Sequence, residues 1–172
     1  MLLKEALRVD EFVNADSIAR GLAGFEPDRV ALPAGRLMLE RIRTLVAAGR
    51  SFAFETTLAS RSFASWLKRV RAKGYESTIV FLWLPTPEQA IARVKLRAIT
   101  GGHSVTDGII RRRYFSGIRN LLDIYMPLVD EWFLYDNQSL SGPRLVAYGR
   151  PNSTLVVEPA VWQAVRDAAH GK

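Results

Sequence analysis

Apolar residues recur along this chain at two spacings, one typical of helices and one typical of buried strands. Helical spacing predicts helices over residues 32–48, 62–72, 88 to about 99, 106 to about 125 and 159–169. Gly49 and Gly74 closely follow two of these segments, in the position where glycine commonly ends a helix. Most of the chain after residue 31 is therefore expected to alternate between helices and short connections.

Runs rich in aromatic and β-branched residues predict the strands. They cover residues 51–58 and 78–84, a terminal strand pair at 132–135 and 144–148, and a short strand over 11–16. The short strand runs into a helix start, for which Asp16 and Ser17 are the expected N-cap residues. The run at 78–84 is uniformly apolar, as expected for a parallel strand covered on both faces. Strands that alternate with helices predict an α/β fold with a parallel sheet and right-handed crossovers.

Composition narrows the class of protein. The chain has 172 residues, of which 48% are hydrophobic and 24% charged, a balance that predicts a single globular domain over residues 1–172. No apolar run approaches the ~20 residues of a membrane span, and the first ten residues lack a signal-peptide core, so we expect a cytoplasmic protein without membrane contact. Cysteine is absent, and His103 and His170 are too few for a typical zinc site.

The net charge of +7 indicates a surface that attracts anions, whether nucleic acid, a nucleotide, a sugar phosphate or an acidic protein. Basic residues concentrate within helical segments at 68–73, 93–97 and 111–119. This placement argues against a disordered nucleic-acid-binding arm. Because no recognisable nucleic-acid reader motif accompanies the charge, nucleic acid is not the expected partner.

Acidic residues lie where two predicted strands end. Asp16 ends the first strand and Glu55 lies near the end of the second, where it is followed by two threonines. Ligands of open parallel sheets bind beyond the carboxyl ends of the strands. Acids at this edge, with arginines from later helices, suit phosphoryl transfer: an acid takes the proton of the acceptor hydroxyl or holds magnesium, and arginines neutralise charge on the phosphate. The candidate arginines are Arg93, Arg97, Arg112 and Arg113.

Structural alternatives exist for these residues. Asp16 can be simply an N-cap, and Arg93 and Arg97, four residues apart, can form a solvated basic stripe. His103, in a Gly-Gly-His loop, can contact phosphate or cap the following helix. Successive helix residues turn by about 100°, so at least one arginine of 111–113 must face solvent. The tryptophans are expected in the core.

Several sequence blocks, taken together, carry a family resemblance. They are FVNAD at 12–16, AGRLMLER at 34–41, SFAFETT at 51–57, GGH at 101–103 before IRRRY at 110–114, and the segment 125–137. From Leu2 to about Gly149 the chain resembles the zeta-toxin family of P-loop small-molecule kinases and their predicted ATPase relatives. The resemblance implies a three-layer fold, with a parallel sheet flanked by helices. It also implies a kinase that moves the γ-phosphate of ATP, held with Mg²⁺, to a small acceptor, which in the toxin branch is a UDP-linked amino sugar.

The resemblance also implies roles for individual residues. Asp16 would be the base that accepts the acceptor's proton, and Arg20 would help to hold that substrate. The acceptor pocket would include Glu55, Thr56 and Thr57, with Mg²⁺ near Glu55. A lid-like region over 91–120 would bring cations to the phosphates, namely Arg93, Arg97, Arg112 and Arg113. Nucleotide-binding residues would include Arg93 as well as His103, Asp136 and Asn137.

One essential motif of this family is absent from the sequence. No Gly-x-x-x-x-Gly-Lys-Ser/Thr loop occurs, and the glycine turn at 33–36 lacks the second glycine, the lysine and a preceding strand. Residues 1–8 have the pattern of a remnant of the family's first helix, so the first, central strand and the loop are expected to be missing. The place of the missing strand leaves three alternatives open: the true start of the protein lies upstream, the strands that begin at residues 51 and 78 pair directly, or another chain fills the gap.

Three functions follow as hypotheses. The first is a zeta-toxin-like kinase that is inactive as this chain. The second is a degenerate kinase-like module that binds an antitoxin-like or other acidic partner. The third is a nucleic-acid-binding protein, which the charge permits.

Overall fold

The computed structural model describes Val9 and residues 11–24, 26–99 and 105–171, apart from the side chains of residues 27 and 28. The chain divides into two compact units. Unit one comprises Met1–Thr56 and Arg93–Val105, and unit two comprises Thr57–Ala92 and Thr106–Lys172. The single-domain prediction stays a prediction, because one domain can contain two compact units. The predictions for residues 1–8 and for His103 lie outside the described residues.

Unit one is built on two short parallel strands and two helices. Strand β1 (Glu11–Val13) pairs in parallel with β2 (Phe52–Phe54), with Glu11 opposite Phe52 and Val13 opposite Phe54. Helix α1 (Ala15–Leu22) packs against helix α2 (Ala31–Ala47), and a 3₁₀ turn (Pro27–Val30) lies between them. Helix α2 buries one stripe at helical spacing: Ala34, Met38, Ile42 and Leu45. This helix confirms the element predicted over residues 32–48.

The start of α1 differs from the prediction. Asn14, in extended backbone, is the N-cap residue, and its side-chain oxygen accepts a hydrogen bond from the backbone N–H of Ser17. The predicted N-cap role of Asp16 and Ser17 is therefore wrong. Asp16 lies instead in the first turn of the helix, where the positive end of the helix dipole stabilises a carboxylate.

Unit two contains a four-stranded sheet in the order β3-β4-β5-β6. The strands are β3 (Thr78–Trp83), β4 (Glu131–Asp136), β5 (Arg144–Arg150) and β6 (Ser153–Val156). The pair β3 and β4 is parallel, whereas β4 with β5 and β5 with β6 are antiparallel. The α/β class is thus confirmed, but the second sheet is mixed rather than parallel. The predicted terminal strand pair is present as β4 and β5, and it is followed by β6, which was not predicted.

The remaining helices are α3 (Ser62–Arg71), α4 (Pro87–Ile99), α5 (Asp107–Asn120) and α6 (Pro159–His170). A π-helical turn (Leu121–Tyr125) extends α5, so that the helix predicted from residue 106 to about 125 is present with a changed last turn. The strands β2 and β3 belong to different sheets among the described residues, so their direct pairing is not observed. The absent central strand stays a prediction.

The core of unit two lies between its sheet and its helices. Along β4, buried residues alternate with half-buried ones, which shows that one face of the strand is turned to the core. Fully buried side chains come from the sheet, the π-helical turn and α6; they include Trp132, Leu134, Val146, Tyr125 and Val165.

The loop of residues 57–60 is held by three residues, which we name the loop clamp: Gly117, Asn120 and Tyr125. A Cβ atom at Gly117 would lie 2.5 Å from the carbonyl oxygen of Thr57, so a side chain is excluded there. The amide of Asn120 donates to the carbonyls of Leu58 and Ala59 at 2.9 and 3.1 Å. The Tyr125 hydroxyl donates to the carbonyl of Ser60. Leu58 has a φ of +54°, a left-handed conformation that these contacts maintain.

Candidate functional site

The carboxyl edge of β1 and β2 carries a group of four polar residues, Asn14, Asp16, Glu55 and Arg97, which we name the strand-end cluster. The parallel register pairs Val13 with Phe54, so the next residues along each strand emerge at the same edge. The backbone N–H of Glu55 donates to the carbonyl of Val13 at 3.3 Å, which continues the pairing by one residue. The register of two three-residue strands therefore determines where the polar side chains lie.

Asn14 links the two strand ends. Its Nδ2 donates to Glu55 Oε2 at 2.5 Å, while its Oδ1 accepts the N–H of Ser17 at 2.9 Å. A side-chain amide can donate to the carboxylate through its nitrogen and accept from the helix through its oxygen at the same time. Asn14 thus couples the orientation of Glu55 to the start of α1. This role of Asn14 was not predicted, although Asn14 lies within the FVNAD block and belongs to a residue type that commonly caps helices.

Asp16 forms an ion pair with Arg97. Its Oδ2 lies 3.5 Å from a guanidinium nitrogen, and the two side chains are 35% and 48% exposed. Because both groups remain accessible to solvent, a ligand can reach the carboxylate without opening the core. Two predicted site residues, Asp16 and Arg97, are thus adjacent within unit one, while their predicted roles in catalysis stay predictions.

Three other predicted site residues of unit one lie close in sequence to members of the strand-end cluster. Arg20 is exposed, one helical turn after Asp16, and donates to the Ser17 hydroxyl at 3.4 Å. Thr56 is exposed directly after Glu55. Arg93 is exposed on α4, one turn before Arg97. Their predicted substrate and nucleotide contacts stay predictions.

The arginines of α5 differ in their contacts. Arg111 pairs with Glu88, and this hydrogen bond is the main reason why the pKa of Glu88 is lowered. Arg112 and Arg113 are exposed and form no ion pair with another described residue. Arg111 is therefore already paired with an acid within unit two. The predicted assignment of Arg112 and Arg113 to phosphate binding stays a prediction.

The predicted nucleotide-binding residues Asp136 and Asn137 lie at the carboxyl ends of β3 and β4. Asp136 pairs with Trp83 in the register, is 8% exposed, and accepts a hydrogen bond from the backbone N–H of Gln138 at 3.0 Å. Its other oxygen lies 3.4 Å from Arg144. The N–H of Asn137 donates to the carbonyl of Trp83 at 2.9 Å. Thr57, predicted to bind substrate, has an exposed side chain and a carbonyl that packs against Gly117.

Metal binding and membrane insertion receive no direct support from the described residues. No group of three or more histidine, aspartate or glutamate side chains that could hold a metal ion occurs among them. Magnesium commonly binds through one or two carboxylates together with substrate phosphates, so Mg²⁺ near Glu55 stays a prediction. Within the same residues, no helix has the length and apolar character needed to cross a membrane.

Comparison with known proteins supports the fold. No protein-family model matches the chain. A protein from Haemophilus influenzae, described only as uncharacterized, is 24% identical over 102 residues, which span 59% of this chain and 73% of that protein. A chain from the structural study of the PezAT chromosomal toxin-antitoxin system of Streptococcus pneumoniae matches with a TM-score of 0.62. The match covers 99% of this chain and 71% of that chain at 15% identity, so the two share a mixed α/β fold.

Proposed function

We propose that this chain provides the acceptor-binding part of a zeta-toxin-like phosphotransferase, with a UDP-linked amino sugar as the acceptor. The observation that carries the proposal is the Asp16–Arg97 ion pair, 3.5 Å long, at the carboxyl edge of two parallel strands. Strand ends of this kind are the usual ligand sites of α/β sheets. The fold shared with a chain of a toxin-antitoxin system supports the same family of functions.

The strand-end cluster can perform two tasks on such an acceptor. The Asp16 carboxylate accepts the proton of a sugar hydroxyl, which makes the oxygen a better nucleophile. Arg97 orients Asp16 and offers a cation to a diphosphate on the acceptor, because guanidinium groups bind phosphate with charge-assisted hydrogen bonds. Glu55, held by Asn14, accepts hydrogen bonds from hydroxyl or amide groups of the sugar.

The residues present do not fit Mg²⁺-ATP. The 172 residues contain no glycine-rich loop with a lysine to hold the phosphates, and the described residues contain no metal-ligating group of three. We therefore derive no step that passes through ATP. The expected result for this chain is no measurable ATP hydrolysis and weak binding in a calorimetric titration with Mg²⁺-ATP. Tight binding in that titration would contradict this expectation.

The acceptor proposal is tested by calorimetric titration with a UDP-linked amino sugar. Arg97→Gln and Glu55→Gln each remove one hydrogen bond to a charged group, so each should weaken binding about tenfold or more. Asp16→Asn keeps the shape of the base and should preserve most of the affinity. Glu40→Gln, at an exposed site on α2, is the matched control and should bind like the parent chain. Equal binding by all four variants would refute the proposal.

The proton transfer is tested separately, in a chain extended at its N-terminus so that it carries a phosphate-binding loop. Transfer of labelled phosphate from ATP to the nucleotide sugar is expected, and Asp16→Ala should abolish it whereas Glu40→Ala should not. Transfer that survives Asp16→Ala would exclude this residue as the base.

A second candidate function is binding to an acidic, antitoxin-like protein. It is favoured by a group of exposed cations on and just after α3, Lys68, Arg69 and Lys73, which form no ion pair with another described residue. Charge reversal at Lys68 and Arg69 should then abolish co-elution with the product of an adjacent gene. If the chain instead binds generic duplex DNA with a steep salt dependence, nucleic-acid binding would replace this second candidate.

A further inference from the structure

A cavity of about 330 Å³ lies in unit two, apart from every predicted site residue. It is bordered by Trp132 at the start of β4 and by Arg150 at the end of β5. Asp136 and Asn137 lie at or just beyond the opposite end of β4, so the cavity and the predicted nucleotide residues occupy opposite edges of one sheet. Its volume is at the low end of the ~300–1,000 Å³ of small-molecule sites.

Two stacked tryptophans form the aromatic wall of this cavity. The rings of Trp132 and Trp162 lie 6.0 Å apart with planes inclined by 10°. Strand β5 lies close to Trp132 at Gly149, which is opposite Trp132 in the register, because a Cβ at Gly149 would lie 2.1 Å from the carbonyl oxygen of Ser153 and 2.8 Å from the Trp132 ring. Trp132 is 2% exposed, whereas Trp162 is half-buried. The wall is therefore fixed by packing and offers an aromatic surface to a ligand.

Cations border the cavity without an acid among its lining residues. Trp162, Arg166 and His170 are spaced four residues apart on α6 and so follow one face of the helix. The guanidinium of Arg150 binds Glu131 at 2.6 and 3.1 Å, which compensates its charge. Arg166 is exposed and has no ion pair with another described residue, and His170 lies 4.0 Å from Asp123. Arg166 is thus the cation at this cavity that forms no ion pair with a described acid.

We propose that this cavity binds a small organic anion, a phosphate monoester or a carboxylate, that carries a planar ring. The ring packs against Trp162 and the apolar side chain of Met126, which also lines the cavity. The anionic group binds Arg166, with a charge-assisted hydrogen bond. This inference is independent of the acceptor site in unit one, since the two share no residue.

The test uses the complete chain and phenyl phosphate as the probe. The indole N–H signals of the four tryptophans are recorded by ¹⁵N NMR during the titration, and Trp66→Phe, Trp83→Phe and Trp162→Phe assign three of them, which leaves the fourth to Trp132. Saturable shifts are expected for Trp132 and Trp162, whereas Trp66 and Trp83, which do not line the cavity, should stay unshifted. Parallel titrations with benzoate, inorganic phosphate and phenol separate the contributions of anion and ring. Stronger binding of phenyl phosphate than of benzoate identifies a phosphate ester as the preferred class, and the reverse identifies a carboxylate.

Arg166→Gln should weaken the preferred ligand at least tenfold, and Arg61→Gln, at an exposed site just before α3, should not change its affinity. Both variants replace exposed side chains, so both should keep the fold, which the unshifted Trp66 and Trp83 signals report. The proposal is overturned if phenol binds as tightly as the two ring-bearing anions, if Arg166→Gln binds like Arg61→Gln, or if all four signals shift together.

Discussion

The two units of this chain differ in how they use buried residues. In unit two, strands of six and seven residues carry Leu134 and Val146, both 0% exposed, in a core that continues into α6. In unit one, β1 and β2 have three residues each, and most buried side chains come from one stripe of α2.

The polar residues of the two units also differ in burial. Asn120 of the loop clamp is 4% exposed and both its hydrogen bonds are to backbone carbonyls. Asp16 of the strand-end cluster is 35% exposed at its side chain and pairs with another exposed side chain. The difference indicates that Asn120 stabilises the fold of unit two, whereas the polar groups of the strand-end cluster remain accessible to a ligand.

The largest expected effect compares one buried leucine from each unit. Leu134→Ala should lower the free energy of unfolding by about 4 kcal/mol. It leaves a buried cavity on β4, which lies between β3 and β5 in the middle of the sheet. Leu45→Ala, at a site that is 3% exposed on α2, should cost about 2 kcal/mol, because neighbouring side chains near the surface can relax into the space. Urea unfolding of both variants measures the difference, and a larger loss for Leu45→Ala would break the comparison.

The next effect concerns the loop clamp. Asn120→Ala should cost about 2 kcal/mol, because the carbonyls of Leu58 and Ala59 lose their donor in a buried place. Asn120→Asp is the sharper variant: it has nearly the same shape but presents acceptor oxygens to two carbonyls, so it should be destabilised further at neutral pH. If Asn120→Asp unfolds at the same urea concentration as the parent chain, these hydrogen bonds do not stabilise the loop.

These contacts also show what sequence patterns can and cannot predict. The helix stripe of α2 and the apolar run of β3 were predicted because hydrophobic periodicity is a local property of the chain. The same holds for the position of Glu55 directly after β2, whereas Asp16 was expected to end β1 and lies instead in the first turn of α1. That both residues lie at one edge follows from parallel pairing, which the alternation of strands and helices predicted.

Contacts between residues far apart in sequence were not predictable in this way. The hydrogen bond from Asn14 to Glu55 spans 41 residues, and the bonds from Asn120 to Leu58 and Ala59 span 62 and 61. No local pattern encodes such pairs, because their geometry depends on how complete elements pack. The π-helical turn at Leu121–Tyr125 was not predicted for a related reason. Its extra residue places Tyr125 against the loop of residues 57–60, and this contact depends on tertiary packing rather than on the local sequence.

A smaller effect should appear at high pH in unit two. Burial raises the pKa of Tyr114 from 10.0 to about 12, and its hydroxyl donates to the carbonyls of Leu84 and Pro85. The folded state therefore holds this proton more tightly than the unfolded state. Its contribution to stability is complete below about pH 10 and is lost as the pH rises towards about 12. Tyr114→Phe cannot ionise, so its stability should fall less steeply than that of the parent chain between these pH values in thermal unfolding.

Tyr125, whose pKa is also raised by burial, still titrates in that variant and accounts for the remaining slope. A slope identical to that of the parent chain would show that ionisation of Tyr114 does not oppose folding.

The smallest effect on stability is expected at the strand-end cluster. Arg97→Gln removes an ion pair whose side chains are 48% and 35% exposed, and exposed pairs of this kind contribute ~0–1 kcal/mol. Arg41→Gln is the matched control within unit one, since Arg41 pairs with Glu11 at 2.9 Å and is also 48% exposed. Both variants should unfold within about 0.5 kcal/mol of the parent chain.

The two variants should differ in unfolding temperature only when ligand is added. The UDP-linked amino sugar should raise the unfolding temperature of Arg41→Gln as it does for the parent chain, whereas Arg97→Gln should gain much less, because a weaker ligand stabilises the folded state less. A large loss of stability in Arg97→Gln without ligand would mean that the cluster supports the fold of unit one. The contrast between a structural loop clamp in unit two and an accessible strand-end cluster in unit one would then be wrong.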